Sequence, residues 1–217
     1  MKIVPDLHFG VELDKEEIGF LIPLRFEKYF KILPRSKEVL FLGDVKHNIF
    51  DVGPSFEKFF DEIAKKYERI IITKGNHDAN IEKLTPKYKN VVVKDFYIEG
   101  HRLYFHGHKK LPKTILDRIN SGEIKEIILG HLHPSLSFNI EKYDIMFRNY
   151  VKCDLVFEEG PKIKILSSVN DLVSGVNVLE IENRPLPLFK QLDLELDDFF
   201  IVVNGKKIGK IKNFKYK

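Results

Sequence analysis

The sequence predicts an α/β protein built on two packed sheets with helices outside. Two observations carry this. Through the first half, apolar strand-like runs alternate with apolar residues at helical spacing. After Pro134 the helical spacing disappears and the chain reads mostly as strand.

Taken in order, Ile3-Val4 is a short strand stopped by Pro5, and Asp6-Leu7-His8-Phe9-Gly10 follows as loop. Phe26, Tyr29, Phe30 and Leu33 predict a helix over 24–33, closed by Pro34. A strand over 38–42 ends in Gly43-Asp44, and Val45-Lys46-His47-Asn48 continues as loop. Pro54-Ser55 opens a second helix whose stripe of Phe56, Phe59, Phe60, Ile63 and Tyr67 reads as core. A β-branched run over 69–74 predicts a buried strand and ends in Gly75-Asn76-His77-Asp78. A short helix over 80–84 is expected to stop at Pro86. A strand from Val91 continues to Ile98, and a turn at Glu99-Gly100-His101 leads to a strand over 102–106 that ends in Gly107-His108.

Pro112 starts a helix with Ile115, Leu116 and Ile119 inward and Gly122 as its stop. A strand over 126–129 ends in Gly130-His131-Leu132-His133. Residues 136–140 alternate, and 150–157, 162–166 and 177–181 read as strands. Residues 183–188 are a proline-rich connection. Asn204-Gly205 suits a type I′ turn between strands over 199–203 and 206–211. No repeat and no linker divides the chain, so one domain over 1–217 is expected, with a β-rich part at 134–217.

Bulk properties narrow the function classes. With 43% hydrophobic and 31% charged residues the chain reads as soluble and globular. No apolar run nears the roughly 20 residues of a membrane helix, and the N-terminus shows no signal-peptide pattern. A single cysteine, Cys153, excludes an internal disulfide and a cysteine-cluster metal site, and reads as core. The cytoplasm is the expected compartment. Abundant Lys, Glu and Ile with one glutamine, Gln191, hint at a thermophile. Net charge is +4, but six of the 36 basic residues lie in the acid-free tail 205–217; the rest holds 30 against 32 acids, a net −2. That tail either touches phosphate backbones or forms a lysine-protected edge strand, and the edge strand is favoured.

Four strands thus end in glycine and then a metal-capable residue, and Asp6-Leu7-His8 repeats the pattern without the glycine. Ligands gather beyond the carboxyl ends of such strands, so these positions can converge. Asp6, His8, Asp44, Asn76, His108, His131 and His133 together offer three oxygen donors and four imidazoles. So many buried polar groups call for a bound charge. The donors outnumber what one ion uses, and two ions sharing a carboxylate at roughly 3.5–4 Å fit. Nitrogen and oxygen donors without sulfur suit two divalent transition-metal ions, Mn first and Fe, Zn or Ni as alternatives.

These five motifs, in order between residues 6 and 133, resemble those of the calcineurin-like metallophosphoesterase superfamily. The resemblance implies a four-layer αββα sandwich of two mixed sheets flanked by helices. It implies a dinuclear centre with Asp6, His8, Asp44 and His133 on one metal and Asp44, Asn76, His108 and His131 on the other, Asp44 bridging. Asp-Leu-His-Phe-Gly and Gly-Asp-Val-Lys-His are most similar to a small prokaryotic subgroup related to recombination nucleases. Those nucleases are longer and carry a capping region with no counterpart here. Pro5, Lys46 and His47 depart from the usual pattern.

The expected activity is in-line hydrolysis of a phosphoester, foremost a phosphodiester of a nucleotide or nucleic acid, by a bridging hydroxide that two metals activate. His77 is the expected general acid and Asp78 its orienting partner. Lys46 and His47 are candidate substrate contacts or a solvated loop. His106 reads as packing or as a partner to a ligand, and His101 as an exposed turn residue. A phosphomonoesterase, a cyclic-nucleotide phosphodiesterase, and a silent scaffold or nucleic-acid-binding protein of this fold remain as alternatives, and a homo-oligomer stays open.

Overall fold

Short β-branched and aromatic runs form four parallel strands: β1 (Lys2–Val4), β2 (Glu38–Phe41), β3 (Arg69–Thr73) and β4 (Val91–Lys94), hydrogen-bonded in that order. The computed structural model describes residues 1–13, 23–50, 52–142 and 145–215. Its contacts divide the chain into two compact units. The first comprises Met1–Tyr97, Tyr104–His106 and Val169–Val173; the second comprises Ile98–Leu103, Gly107–Ser168 and Ser174–Lys217.

In the first unit, parallel pairing requires crossovers. Helix α1 (Phe26–Ile32) lies in sequence between β1 and β2, and α2 (Pro54–Lys66) between β2 and β3. Pro54 stands at the helix start, where its missing N–H costs nothing. The expected stripe, Phe56, Phe59, Phe60 and Ile63 with Tyr67, is buried. Phe9 stacks on Phe59 with ring centroids 4.1 Å apart. Ile70, Ile71 and Ile72 are buried in succession, as in a strand covered on both faces. Val4 pairs with Phe41, Phe41 with Ile72, and Ile72 with Val93. The strands therefore finish level, and the loops after β1, β2 and β3 leave from one edge.

Beyond β4 come β5 (Phe96–Glu99), β6 (Arg102–Phe105), β7 (Glu126–Leu129), β8 (Pro134–Lys142), β9 (Ile145–Lys152), β10 (Asp154–Phe157) and β11 (Lys162–Ile165). Then follow β12 (Val176–Asn177), β13 (Phe200–Val203) and β14 (Lys206–Lys210). A seven-stranded sheet runs β14-β13-β10-β11-β7-β6-β5, and a three-stranded one runs β12-β8-β9. Helix α3 (Lys113–Asn120) buries Ile115 and Ile119, leaves Leu116 half-buried, and is followed by Gly122 at φ 77°. Helices α4 (Pro187–Gln191) and α5 (Lys212–Lys215) follow later in the chain. No helix among the described residues is long and apolar enough to cross a membrane.

The chain is thus an α/β protein with several sheets and flanking helices. Several boundaries differ from expectation. The run 91–98 breaks at Asp95 into β4 and β5, which belong to different sheets. The run 150–157 breaks at Cys153 into β9 and β10, again in different sheets. An apolar run carries no sign of a change of partner. The helix before Pro86 is a 3₁₀ turn, Ile81–Lys83, and Pro86 sits inside a second one, Thr85–Lys87. The strand over 177–181 shrinks to Val176–Asn177, and the proline-rich connection opens α4. Among the described residues the strands fall into three hydrogen-bonded sets.

The Asn-Gly hairpin forms, with φ 49° at Asn204 and 75° at Gly205. It makes β14 the edge of the seven-stranded sheet. Four lysines of the tail pair with acids: Lys207 with Glu158 at 2.6 Å and Lys210 with Glu159 at 2.7 Å from β14, and beyond it Lys212 with Asp198 at 2.9 Å and Lys215 with Asp197 at 2.7 Å. That is how charged edge strands are protected. Lys217 lies outside the described residues.

Candidate metal and phosphoester site

The edge where β1, β2 and β3 finish carries a buried polar cluster. Asp6, His8, Asp44 and Asp78 are all at most 2% exposed. Asp6, His8 and Asp44 offer ligand atoms within 4.8 Å of one another. The backbone that presents them is left-handed, with φ 46° at Asp6, 46° at His8 and 47° at Asp44. Asp and His tolerate this region better than most side chains, but it persists only where the surroundings enforce it. His8 N–H donates to the Asp44 carbonyl at 2.8 Å, and Phe9 N–H to that of Val45 at 2.9 Å, so the two loops run side by side.

Two glycines allow this close approach. A β-carbon on Gly75 would lie 2.1 Å from Asp44 Oδ1, and one on Gly43, at φ 83°, would lie 2.2 Å from His106 Nδ1. His106, just after β6, faces the acids directly. Its Nδ1 is 3.0 Å from the Leu42 carbonyl and 3.5 Å from Asp6 Oδ1; its Nε2 is 3.1 Å from Asn76 Oδ1 and 3.3 Å from Asp44 Oδ2. Burial alone would lower the His106 pKa, but Asp44 and Asp6 raise it to about 9. Burial works against the charged Asp44 carboxylate, but His106, His8 and the His77 N–H hold its pKa well below the usual range.

His77 is half-buried, and its Nδ1 contacts the His47 carbonyl oxygen. The orienting task expected of Asp78 therefore falls to a main-chain carbonyl. Asp78 instead accepts N–H bonds from Val45 at 2.9 Å, Lys46 at 3.4 Å and Gly75 at 2.9 Å. It clamps the two loops, and burial followed by the Asp44 charge lifts its carboxyl to about 6. Lys46 also differs from expectation as a substrate contact. It is 1% exposed, and its ammonium donates to the carbonyls of Asn48, Ile49 and His77. Asn76 is exposed and His47 half-buried.

Asn170 was not legible as a site residue. It returns from far along the chain to donate to the Leu7 carbonyl at 3.0 Å and the His8 carbonyl at 3.4 Å. Only folding reveals that role. His106 carried a sequence signal, its position in His106-Gly107-His108 at a strand end.

In the second unit, His108 follows β6, and His131 and His133 follow β7. His108 and His131 have ring centroids 5.9 Å apart. His131 and His133 are left-handed, with φ 67° and 47°. Five of the seven expected ligands thus share a left-handed backbone just beyond a strand end. Buried carboxylates with imidazoles, held in such a backbone, are a donor set that fits divalent metal ions.

The calcineurin-like phosphoesterase family matches residues 3–167. The chain belongs to that family. No curated protein sequence matches it. Among solved structures it is similar to the nuclease MPE of Pseudomonas putida, at 15% identity and a TM-score of 0.55, over 95% of this chain and 86% of that one. That likeness is one of fold. Weaker likenesses join this family member to AQ665 of Aquifex aeolicus, a protein of unknown function (21% identity, TM-score 0.42, 61% and 79% covered). Another is to an archaeal phosphodiesterase (22%, 0.36, 66% and 78%).

Proposed function

We propose that the protein is a metal-dependent phosphoesterase acting on a phosphodiester of a nucleotide or nucleic acid. The observation that carries this is the buried convergence of Asp6, His8 and Asp44 at one strand edge in a chain of the calcineurin-like family. The nuclease activity named for the Pseudomonas putida relative supports the substrate class. In this reading one domain in the αββα layering holds two divalent ions, manganese first. The ligands proposed for those ions are Asp6, His8, Asp44, Asn76, His108, His131 and His133, with Asp44 shared.

When bound, such ions lower the pKa of water and neutralise charge on phosphate oxygens. The chain's own residues supply the rest. His77 protonates the leaving oxygen through Nε2, because the His47 carbonyl engages its Nδ1. Asp78 and Lys46 hold His77 in place by tying the loops after β2 and β3 together. His106 orients Asp44 and Asn76.

The test is hydrolysis, with and without added Mn²⁺, of bis-p-nitrophenyl phosphate, p-nitrophenyl phosphate, cyclic nucleotides and single- and double-stranded DNA, alongside metal analysis. Manganese-dependent cleavage of the diester and of DNA, faster than of the monoester, is expected. Monoester preference would replace the substrate class. No bound metal and no turnover would favour a silent scaffold and end the proposal.

A further inference from the structure

Three histidines of the first unit face one another: His8, His47 and His77. Their ligand nitrogens lie within 4.8 Å of one another, and His8 Nδ1 is 3.0 Å from His47 Nδ1. Ring centroids are 5.0 Å apart for His8 and His47, 4.8 Å for His8 and His77, and 5.2 Å for His47 and His77. The rings thus form a nearly equilateral triangle. Imidazole nitrogens about 2.0–2.1 Å from a tetrahedral zinc would put ring centroids about 5 Å apart. For two of the three rings the other nitrogen meets an oxygen, as is usual for metal-bound imidazoles. His8 Nε2 faces Asp44 Oδ2 at 3.5 Å, and His77 Nδ1 contacts the His47 carbonyl.

We propose that His8, His47 and His77 form a three-histidine site for a single Zn²⁺, and that filling it inhibits the enzyme. A neutral imidazole has one lone pair. If His8 gives Nδ1 to this ion, its Nε2 carries the proton toward Asp44 and cannot serve the dinuclear centre. The same ion takes the Nε2 of His77 and removes the proton donor. Imidazole donors favour Zn²⁺ over Mn²⁺, so the activating and inhibiting ions differ. The inhibitory consequence rests on the proposed phosphoesterase activity; the ion site itself does not.

The experiment uses the full chain with His47→Ala and His77→Gln, neither position being a ligand of the proposed dinuclear centre. Co²⁺ is added first as a spectroscopic probe. The wild type should show the intense visible bands of tetrahedral cobalt, and both variants should lose them. Zn²⁺ is then titrated into manganese-loaded protein. The zinc concentration that halves the rate should rise on the order of tenfold in His47→Ala, measured against that variant's own zinc-free rate. Thermal melts confirm folding, and His77→Gln, a half-buried polar exchange, serves if His47→Ala is unstable. Unchanged cobalt bands in both variants would overturn the site. Unchanged zinc inhibition in His47→Ala would overturn the inhibition. Protein inactive on every phosphoester but keeping the cobalt signature would end the phosphoesterase reading and leave the site standing.

Discussion

The β-carbon that Gly75 lacks would stand 2.1 Å from Asp44 Oδ1 and 2.4 Å from the Asp44 backbone nitrogen. The contact is to a carboxylate and a main-chain atom, neither of which can swing aside as a long side chain would. Gly75→Ala must therefore displace Asp44 or open the loop after β3. Manganese affinity should fall about 10–100-fold, as when a metal ligand loses its support. A Mn²⁺ titration of activity and a melting curve check this. Wild-type affinity in Gly75→Ala would show that Asp44 is not a ligand held at this position.

Lys46 tests the difference between a substrate contact and a clamp. Its ammonium is buried and meets three carbonyls. Lys46→Met keeps the stem and removes the donors. A buried acceptor left without a partner costs about 1–3 kcal/mol. A loss of about 1–3 kcal/mol in urea unfolding is expected, together with a fall in kcat as His77 loosens. A higher KM at unchanged stability would restore the substrate-contact role.

Much of this was legible in the sequence, for identifiable reasons. Glycine followed by Asp, Asn or His after a β-branched run marks a strand end whatever the tertiary context, so the motif positions were readable. The Phe56-Phe59-Phe60 stripe and Asn204-Gly205 are likewise local signals. What escaped depends on partners distant in sequence. From the sequence Lys46 reads as a substrate contact or a solvated loop, because nothing local shows that the His77 carbonyl lies beside it. Asp78 adjoins His77 in sequence, yet its carboxylate turns back to Val45, Lys46 and Gly75. The breaks at Asp95 and Cys153 are invisible because the residues on either side share the same strand propensity while their partners differ.

His77→Gln separates proton donation from metal binding. Glutamine keeps a polar side chain of similar reach but cannot supply an acidic proton. Metal content of the manganese-loaded protein should be unchanged. Turnover of a diester with an alkyl leaving group should fall about 10²–10⁴-fold, the usual worth of a general acid. Turnover of bis-p-nitrophenyl phosphate, whose leaving group needs no proton, should fall far less. Equal losses on both substrates would remove His77 from the proton-donor role.

Cys153 gives a pH-dependent prediction away from the metal ligands. It is 1% exposed, between β9 and β10. Burial, then the charge of Asp154, pushes its thiol up to about 12. An unfolded thiol ionises near about 8.5. Above that value the unfolded chain releases a proton that the folded chain holds, so this group's contribution to stability is full below pH 8.5 and declines as pH rises toward 12. The wild type should therefore lose stability relative to Cys153→Ala between pH 8 and 10, seen as converging or crossing urea midpoints. Iodoacetamide at pH 8 should leave the native protein unmodified and alkylate it in denaturing urea, since the thiolate is the nucleophile. Rapid alkylation of the native protein would show that Cys153 is reached by solvent.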